Sequence, residues 1–141
     1  MIKIQRTFTI LKPDSIQDSN IGSIIKLIEE AGFKILALKM IKITPYLAET
    51  FYEVHKDRPF YGELVEYMSS DRVVAMVLEK ENAVVDYRKL VGATDPSEAD
   101  SGTIRAQFAR SKGQNAVHGS DSVENAKDEI SFFFAGVEIF D

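Results

Sequence analysis

One short stretch of the chain gathers most of the side chains that could perform chemistry on a bound ligand. It reads Asn-Ala-Val-His-Gly-Ser-Asp-Ser over residues 115–122, and its His118 is one of only two histidines. With an unperturbed pKa of about 6.5, a histidine near neutral pH is largely neutral and offers a nucleophilic ring nitrogen. A purely structural interpretation is also open, in which a short strand and a glycine turn lead into a capped helix. The other histidine, His55, lies in a polar turn and is interpreted as an exposed residue.

Cations that suit a phosphorylated ligand stand elsewhere in the chain. Lys12 comes directly after an alternating, strand-like segment over 6–11, and Arg88 falls within a helical pattern. Arg105 follows a polar, aperiodic loop over 93–102, and loops of this length are commonly functional. Each cation also has a plain interpretation as a solvated surface charge. The sequence has no glycine-rich phosphate loop of the Walker or dinucleotide-binding type, so a phosphate site would be built from side chains.

Composition places broad limits on the function. The chain of 141 residues carries a net charge of −5 with a pI of about 5.1, and 45% of its residues are hydrophobic. That size predicts a single domain over residues 1–141. The acidic balance argues against a protein whose main task is to bind long nucleic acid, since such proteins usually carry a basic face. With no cysteine and no apolar run long enough to span a bilayer, a cytoplasmic protein without disulfides is the expectation.

Hydrophobic periodicity predicts the order of the elements. Alternating or continuous apolar patterns predict strands over 6–11, 33–43 and 73–78. Helical spacing, with capping residues and glycine stops, predicts helices over 21–31, 45–54, 63–68 and 82–90 and a last one from about 123. With a short strand at His118, this order makes a βαββαβ core with a helical insert. We therefore expect an α+β, ferredoxin-like fold, a four-stranded antiparallel sheet with helices on its faces.

The stretch over 115–122 resembles the active-site signature of nucleoside diphosphate kinases, in which the histidine carries a phosphoryl group from one nucleotide to another. The resemblance covers nearly the whole chain. It includes Lys-Pro-Asp at 12–14, Arg-Pro-Phe at 58–60, Thr94 and Gly-Thr-Ile-Arg at 102–105. The chain departs from the family pattern at Ser15, Asp71-Arg72, Ser101 and Ala106-Gln107, where Gly, Gly-Pro, Pro and Gly-Asp are common. These departures bear on the shape and rigidity of the loops and remove no motif residue.

The resemblance implies a reaction. The γ-phosphoryl group of a nucleoside triphosphate, chiefly ATP, would pass to His118 and then to a nucleoside diphosphate of any base, in a ping-pong sequence. The implied catalytic residues are His118, Lys12, Glu129, Ser120 and Tyr52, of which Ser120 and Glu129 would orient the imidazole. The implied nucleotide-binding residues are Lys12, Phe60, Arg88, Thr94, Arg105 and Asn115, with the loop over 93–102 as a nucleotide-binding insertion. Stacking of a base on Phe60 would suit an enzyme indifferent to base identity, because every base has a π face.

The same resemblance implies the cofactor and the partners. Mg²⁺ would arrive on the nucleotide phosphates with no direct protein ligand, and Asp121 would be at most a water-mediated partner. A homo-oligomer is expected, a tetramer before a hexamer, with no membrane and no dedicated nucleic-acid partner. Two other classes stay open at this point. One is a catalytically silent binding protein of the same fold, and the other is a single-strand-binding module that uses exposed aromatic rings on its sheet.

Overall fold

The computed structural model describes residues 3–141; Met1 and Ile2, which the single-domain prediction includes, lie outside the described residues. The strands are β1 (Ile4–Leu11), β2 (Lys34–Lys42), β3 (Arg72–Glu81) and β4 (Val117–Gly119). The α-helices are α1 (Pro13–Gln17), α2 (Ile21–Glu30), α3 (Pro45–Phe51), α4 (Tyr61–Met68), α5 (Ala83–Val91), α6 (Ile104–Phe108) and α7 (Val123–Phe133). Short 3₁₀ turns lie at Glu53–His55, Pro96–Glu98 and Gly136–Glu138.

The four strands form one sheet in the order β2-β3-β1-β4, and each neighbouring pair is antiparallel. Strands β1 and β3 are therefore central, and β2 and β4 form the edges. This order, with α2 and α5 as the two helices of the repeat, confirms the predicted α+β, ferredoxin-like architecture. The last strand has only three residues and pairs with the end of β1, so that His118 lies opposite Ile10.

The central strand β3 shows why the sheet is covered on both faces. Side chains alternate between the two faces of a strand, and every residue of its segment 73–78 is buried. Val73, Ala75 and Val77 pack in one core with side chains from α3, α4 and α7. The intervening residues, Val74, Met76 and Leu78, pack in a second core with side chains from α2, α5 and α6.

Capping residues mark the helix starts that the sequence predicts. Thr44 Oγ1 accepts a hydrogen bond from Leu47 N at 3.2 Å, and Ser122 Oγ accepts one from Asn125 N at 3.0 Å. The helix that begins after Thr44 was predicted over 45–54, whereas α3 is shorter and a 3₁₀ turn replaces its last part.

Two short helices were not predicted from the sequence. The first, α1, begins at Pro13, because proline suits the first turn of a helix, where its missing N–H is not needed. The second, α6, begins after Thr103, whose Oγ1 accepts from Ala106 N at 3.2 Å. Each has five residues, which is too short for apolar periodicity to reveal it.

Three consecutive phenylalanines, residues 132–134, lie at the C-terminal end of α7. Phe133 and Phe134 are buried, whereas Phe132 is 37% exposed. The ring of Phe133 stacks on that of Phe8 in β1, with centroids 5.4 Å apart. This contact fixes α7 against the central sheet. Over residues 3–141, no helix is long and apolar enough to cross a membrane.

Gly92 follows the last residue of α5 and is tightly packed against Thr103. Its φ is +91°, and a Cβ there would lie 2.6 Å from Thr103 Oγ1 and 2.8 Å from Thr103 Cβ. We expect Gly92→Ala to lower the free energy of unfolding by about 1–3 kcal/mol, because alanine is strained at this φ and clashes with the N-cap of α6. Urea unfolding followed by circular dichroism measures this loss.

Gly22→Ala is the matched control for Gly92→Ala. Gly22 lies in the first turn of α2, and a Cβ there meets no atom within 4 Å. Its replacement should leave stability unchanged or raise it slightly, because alanine is the better helix former. Equal losses in the two variants would contradict the role assigned to the Gly92 turn.

Candidate active site

An open cleft of about 1000 Å³ lies beside the C-terminal end of β1. Elements distant in sequence contribute to it: the residue after β1, the end of α3, α4, the loop over 111–115 and β4. Most of the predicted site residues line it, namely Lys12, Tyr52, Phe60, Thr94, Arg105, Asn115 and His118. The fold therefore brings into one place side chains that the sequence spreads over more than a hundred positions.

A hydrogen bond with Glu129, which Ser120 also contacts, holds the imidazole of His118 in a defined orientation. Its Nε2 lies 3.0 Å from Glu129 Oε1, and Ser120 Oγ donates to the same carboxylate oxygen at 2.5 Å. Because a carboxylate oxygen only accepts, Nε2 carries the hydrogen and Nδ1 keeps its lone pair. Within the described part of the chain, Nδ1 has no hydrogen-bond partner. The backbone is fixed as well, since Thr9 Oγ1 donates to His118 O at 2.7 Å.

Aromatic rings surround the imidazole. The ring centroids of Phe51, Phe8 and Tyr52 lie 5.6, 6.2 and 6.4 Å from that of His118, each in an edge-on arrangement. Tyr52 is buried, and burial, helped by the nearby Glu129, raises the pKa of its phenol. Its hydroxyl has no hydrogen-bond partner among residues 3–141. A buried hydroxyl without a partner is uncommon and points to a ligand atom at the cleft floor.

Lys12 is a buried ammonium group beside the histidine. Its Nζ donates to Asn115 Oδ1 at 2.7 Å. Burial, with a smaller contribution from the positive charge of Arg105, lowers the pKa of Lys12 to about 8, although Asp14 opposes this shift. A buried cation with this pKa is stabilised whenever an anion enters the cleft.

Asn115 connects the two sides of the cleft. While its Oδ1 accepts from Lys12, its Nδ2 donates to the backbone oxygen of Thr94 at 3.2 Å. The amide thus holds Lys12 in place, and both its ends already have partners. The resemblance implies that Asn115 and Thr94 bind the nucleotide; the structure joins the two residues by this hydrogen bond.

The two arginines differ in their positions. Arg105 lines the cleft, and its guanidinium donates to the backbone oxygens of Gly92, Asn115 and Val117 at 3.0–3.2 Å. Arg88 does not line this cleft; it lies with Arg105 at a small adjoining hollow, and its Nη1 donates to Gly119 O at 3.3 Å. Burial and then the charge of Arg88 lower the pKa of Arg105. Two neighbouring guanidinium groups favour an anion between them.

Phe60 lies farther out in the cleft and is 48% exposed. His55, interpreted from the sequence as an exposed turn residue, also lines the cleft, with its ring centroid 5.6 Å from that of Phe60. Lys112, Glu63 and Tyr67 line it too and were not predicted from the sequence. They lie in short or irregular segments, and an isolated charged or aromatic residue there gives no signal of its own.

The chemistry of the cleft also bears on metal binding. In residues 3–141, no three or more His, Cys, Asp or Glu side chains come together in a group that could hold a metal ion. Asp121 lies just before α7, and its Oδ1 accepts from Asn125 Nδ2 at 2.5 Å. The side chains at the cleft floor are mainly cations and hydroxyls. This donor set fits an anionic ligand.

Comparisons with known proteins match almost the whole chain. The family model described as nucleoside diphosphate kinase matches residues 5–139. The nucleoside diphosphate kinase of Chlorobaculum tepidum is 58% identical over 136 residues, which are 96% of this chain and 97% of that protein. The one from Flavobacterium psychrophilum is 57% identical over 135 residues, 96% of this chain and 97% of its own.

Solved structures show the same similarity in three dimensions. The nucleoside diphosphate kinase of Aquifex aeolicus superposes with a TM-score of 0.96 at 48% identity, over 97% of this chain and 99% of that one. The halophilic enzyme of Halobacterium salinarum, solved in complex with CDP, gives a TM-score of 0.94 at 38% identity, over 99% of this chain and 93% of that one. Because the family model, the sequence identity and the fold agree along almost the whole chain, the chain belongs to the nucleoside diphosphate kinase family and is an enzyme of that class.

Proposed function

We propose that the enzyme transfers the γ-phosphoryl group of a nucleoside triphosphate to a nucleoside diphosphate through a phosphohistidine at His118. The observation that carries the proposal is the state of the imidazole. Its Nε2 is occupied by Glu129, at 3.0 Å, while Nδ1 keeps a lone pair in a cleft that also holds a buried lysine. A nucleophile of this kind divides one difficult transfer into two easier steps.

In the first step Nδ1 attacks the γ-phosphorus. A bond forms from Nδ1 to phosphorus, the bond from phosphorus to the β,γ-bridging oxygen breaks, and the nucleoside diphosphate leaves with that electron pair. The ring gains positive charge while its Nε2 hydrogen stays on the bond to Glu129, whose carboxylate stabilises that charge. In the second step the terminal oxygen of another nucleoside diphosphate attacks phosphorus and the Nδ1 bond breaks, which restores the imidazole.

The surrounding groups stabilise the transferred phosphoryl group. Such transfers depend mainly on positioning and on positive charge near the equatorial oxygens. Lys12 and the unpartnered hydroxyl of Tyr52 lie at the cleft floor with His118 and are proposed to contact the reacting phosphate. Arg105 and Thr94, with Arg88 at the adjoining hollow, are proposed to hold the other phosphates.

The outer cleft is proposed to bind the base without regard to its identity. The exposed ring of Phe60 offers a stacking surface, and stacking accepts purines and pyrimidines alike. The CDP complex of the Halobacterium salinarum relative supports nucleotides as ligands of this cleft. ATP is proposed as the chief donor, as the resemblance to the family implies. Mg²⁺ is proposed to enter on the phosphates, where it neutralises charge, with Asp121 as a water-mediated partner. The cytoplasmic location stays a prediction.

The phosphohistidine can be observed directly. After incubation with ATP and Mg²⁺ without an acceptor, the intact mass of the wild-type protein should rise by one phosphoryl group, because no diphosphate is present to discharge it. Addition of GDP should remove the gain and release GTP. His118→Ala should show no gain, and His55→Ala, which alters the only other histidine, should behave as wild type in this single-turnover test. Folded wild-type protein that gains no mass would overturn the proposal and favour the silent binding protein.

The pH dependence tests the role of Lys12. The proposed role needs the ammonium form, and the pKa of Lys12 in the free enzyme is about 8. Below that pH the group is mostly charged, whereas above it the charge is lost as pH rises. We therefore expect kcat/KM to fall above about pH 8, approaching about tenfold per pH unit.

Lys12→Arg is the matched variant for this pH profile. A guanidinium stays protonated throughout the range, so the fall in kcat/KM above pH 8 should disappear even if the absolute rate is lower. A profile in which both proteins lose activity at the same high pH would assign that loss to another group and contradict the role of Lys12.

We also propose that the enzyme is a homo-oligomer, and that the edge strand β2 forms a contact between its subunits. This strand has nine residues, and Leu38 and Met40 on it are 50% and 46% exposed. Phe140, 72% exposed, lies next to it because its N–H donates to Leu36 O at 2.8 Å. A long edge strand with apolar side chains favours pairing with another chain. A second copy is the proposed occupant, in a tetramer before a hexamer.

A charge on this edge should weaken the assembly. We expect the double variant Leu38→Lys, Met40→Lys to form smaller species than the wild type. The two ammonium groups would be buried in the contact, close to the same two groups of the second copy, and burial of like charges is unfavourable. Light scattering after size-exclusion chromatography measures the mass. Val85→Lys, an equally exposed apolar residue on α5, should leave the mass unchanged. A monomeric wild type, or an unchanged double variant, would contradict the proposed contact.

A further inference from the structure

A strained turn immediately precedes the strand that carries His118. Ala116 has a φ of +75°, and Val117 N donates to Asn115 O at 2.9 Å, a bond between residues two apart. A positive φ with this bond describes the rarer, strained form of the γ-turn, which a residue with a Cβ avoids unless its surroundings impose it. Ala116 is fully buried.

Helix α1 and the residue before it hold both polar groups of Ala116. The backbone N–H of Ala116 donates to Asp14 Oδ2 at 2.9 Å. Its oxygen accepts from Lys12 N at 2.9 Å and from Ser15 Oγ at 2.8 Å. The Ser15 bond is available because this chain has serine where the family commonly has glycine. The strained peptide is thus clamped from one side by α1.

Asp14 is itself fixed and unusual. It is fully buried, and within residues 3–141 no salt bridge joins it to a cation. Tyr67 OH donates to Asp14 Oδ1 at 2.6 Å and accepts from Asp14 N at 2.8 Å. Burial of a carboxylate without an ion pair is costly. The hydrogen bonds that the Asp14 carboxylate accepts from Ala116 and Tyr67 offset part of this cost.

The turn at Ala116 lies between the residue that holds Lys12 and the strand that carries His118. Before it, Asn115 holds Lys12 Nζ at 2.7 Å, and after it β4 carries His118 toward Glu129. We propose that Asp14 is a positioning residue: its carboxylate holds Ala116 in the left-handed turn, and the turn sets the distance between the Lys12 ammonium and the nucleophile. This inference rests on the proposed function of the cleft and adds to it a group that touches neither substrate nor phosphate.

A different explanation would make Asp14 an electrostatic group, because its negative charge opposes the lowering of the Lys12 pKa. Two substitutions of Asp14 distinguish these explanations. Asp14→Asn keeps a side-chain oxygen that can accept from Ala116 N but loses the negative charge. Asp14→Ala loses both the acceptor and the charge.

The experiment places each Asp14 variant in two backgrounds, wild type and Ala116→Gly. Glycine adopts a positive φ without strain, so the turn should need the carboxylate less in the A116G background. In the wild-type background we expect Asp14→Ala to lower kcat by about tenfold or more with a smaller change in KM, whereas Asp14→Asn stays close to wild type. In the A116G background the loss caused by Asp14→Ala should shrink to about threefold or less.

The matched control is Asp18→Ala, which alters an exposed carboxylate at the end of α1 that pairs with Arg110 and not with Ala116. Its effect should be the same in both backgrounds, since the turn is not involved. If Asp14→Ala does not fold, Tyr67→Phe takes its place, because it removes only the hydroxyl that fixes Asp14. Its smaller loss in kcat should likewise shrink in the A116G background.

Two results would overturn the inference. One is an equal loss in Asp14→Asn and Asp14→Ala that Ala116→Gly does not reduce, which would assign the effect to charge. The other is wild-type kcat in Asp14→Ala or, where that variant is unfolded, in Tyr67→Phe. Neither result would affect the phosphohistidine proposal, which fails only if wild-type His118 takes up no phosphoryl group. The intact-mass measurement on the wild type therefore distinguishes the two failures.

Discussion

The pairing of β4 with β1 is the constraint on which the rest of the site depends. Only three residues of β4 pair, yet they put His118 opposite Ile10 and one strand away from the point where Lys12 leaves the sheet. The bond from Lys12 N to Ala116 O extends this pairing by one step. Without it, the imidazole of His118 and the ammonium group of Lys12 would belong to segments far apart in sequence, and no local preference could bring them together.

Around this pairing, the molecule uses burial to control charge. Burial, helped by the charge of Arg105, lowers the pKa of Lys12 to about 8, and aromatic rings surround the imidazole whose Nε2 lies 3.0 Å from Glu129 Oε1. Fixed dipoles and charges in such surroundings need no reorganisation during a reaction, which is the physical basis of electrostatic catalysis. The unpartnered hydroxyl of Tyr52 belongs to the same pattern, since it is available to a ligand at no cost in broken protein bonds.

Several side chains that bind ligand in the proposed scheme also hold the protein together. Arg105 donates to three backbone oxygens from segments on both sides of the cleft, and Asn115 joins Lys12 to the loop at Thr94. Loss of such a residue would remove the proposed contact to phosphate and loosen the cleft at the same time. Kinetic effects of single substitutions at these positions are therefore not additive contributions of one contact.

The sequence alone predicts the α+β architecture, which the structure confirms, and it names the candidate site residues, most of which line the cleft. The continuous apolar segment 73–78 is typical of a strand covered on both faces, and the motif around His118 could be recognised because its residues are consecutive. Only the folded chain brings His118 Nε2 to Glu129, lowers the pKa of Lys12 and forms the hydrogen bonds of Asp14 with Tyr67 and Ala116. Each of these depends on atoms from segments far apart in sequence, and the hydrogen bond or burial that causes it does not exist until the chain has folded.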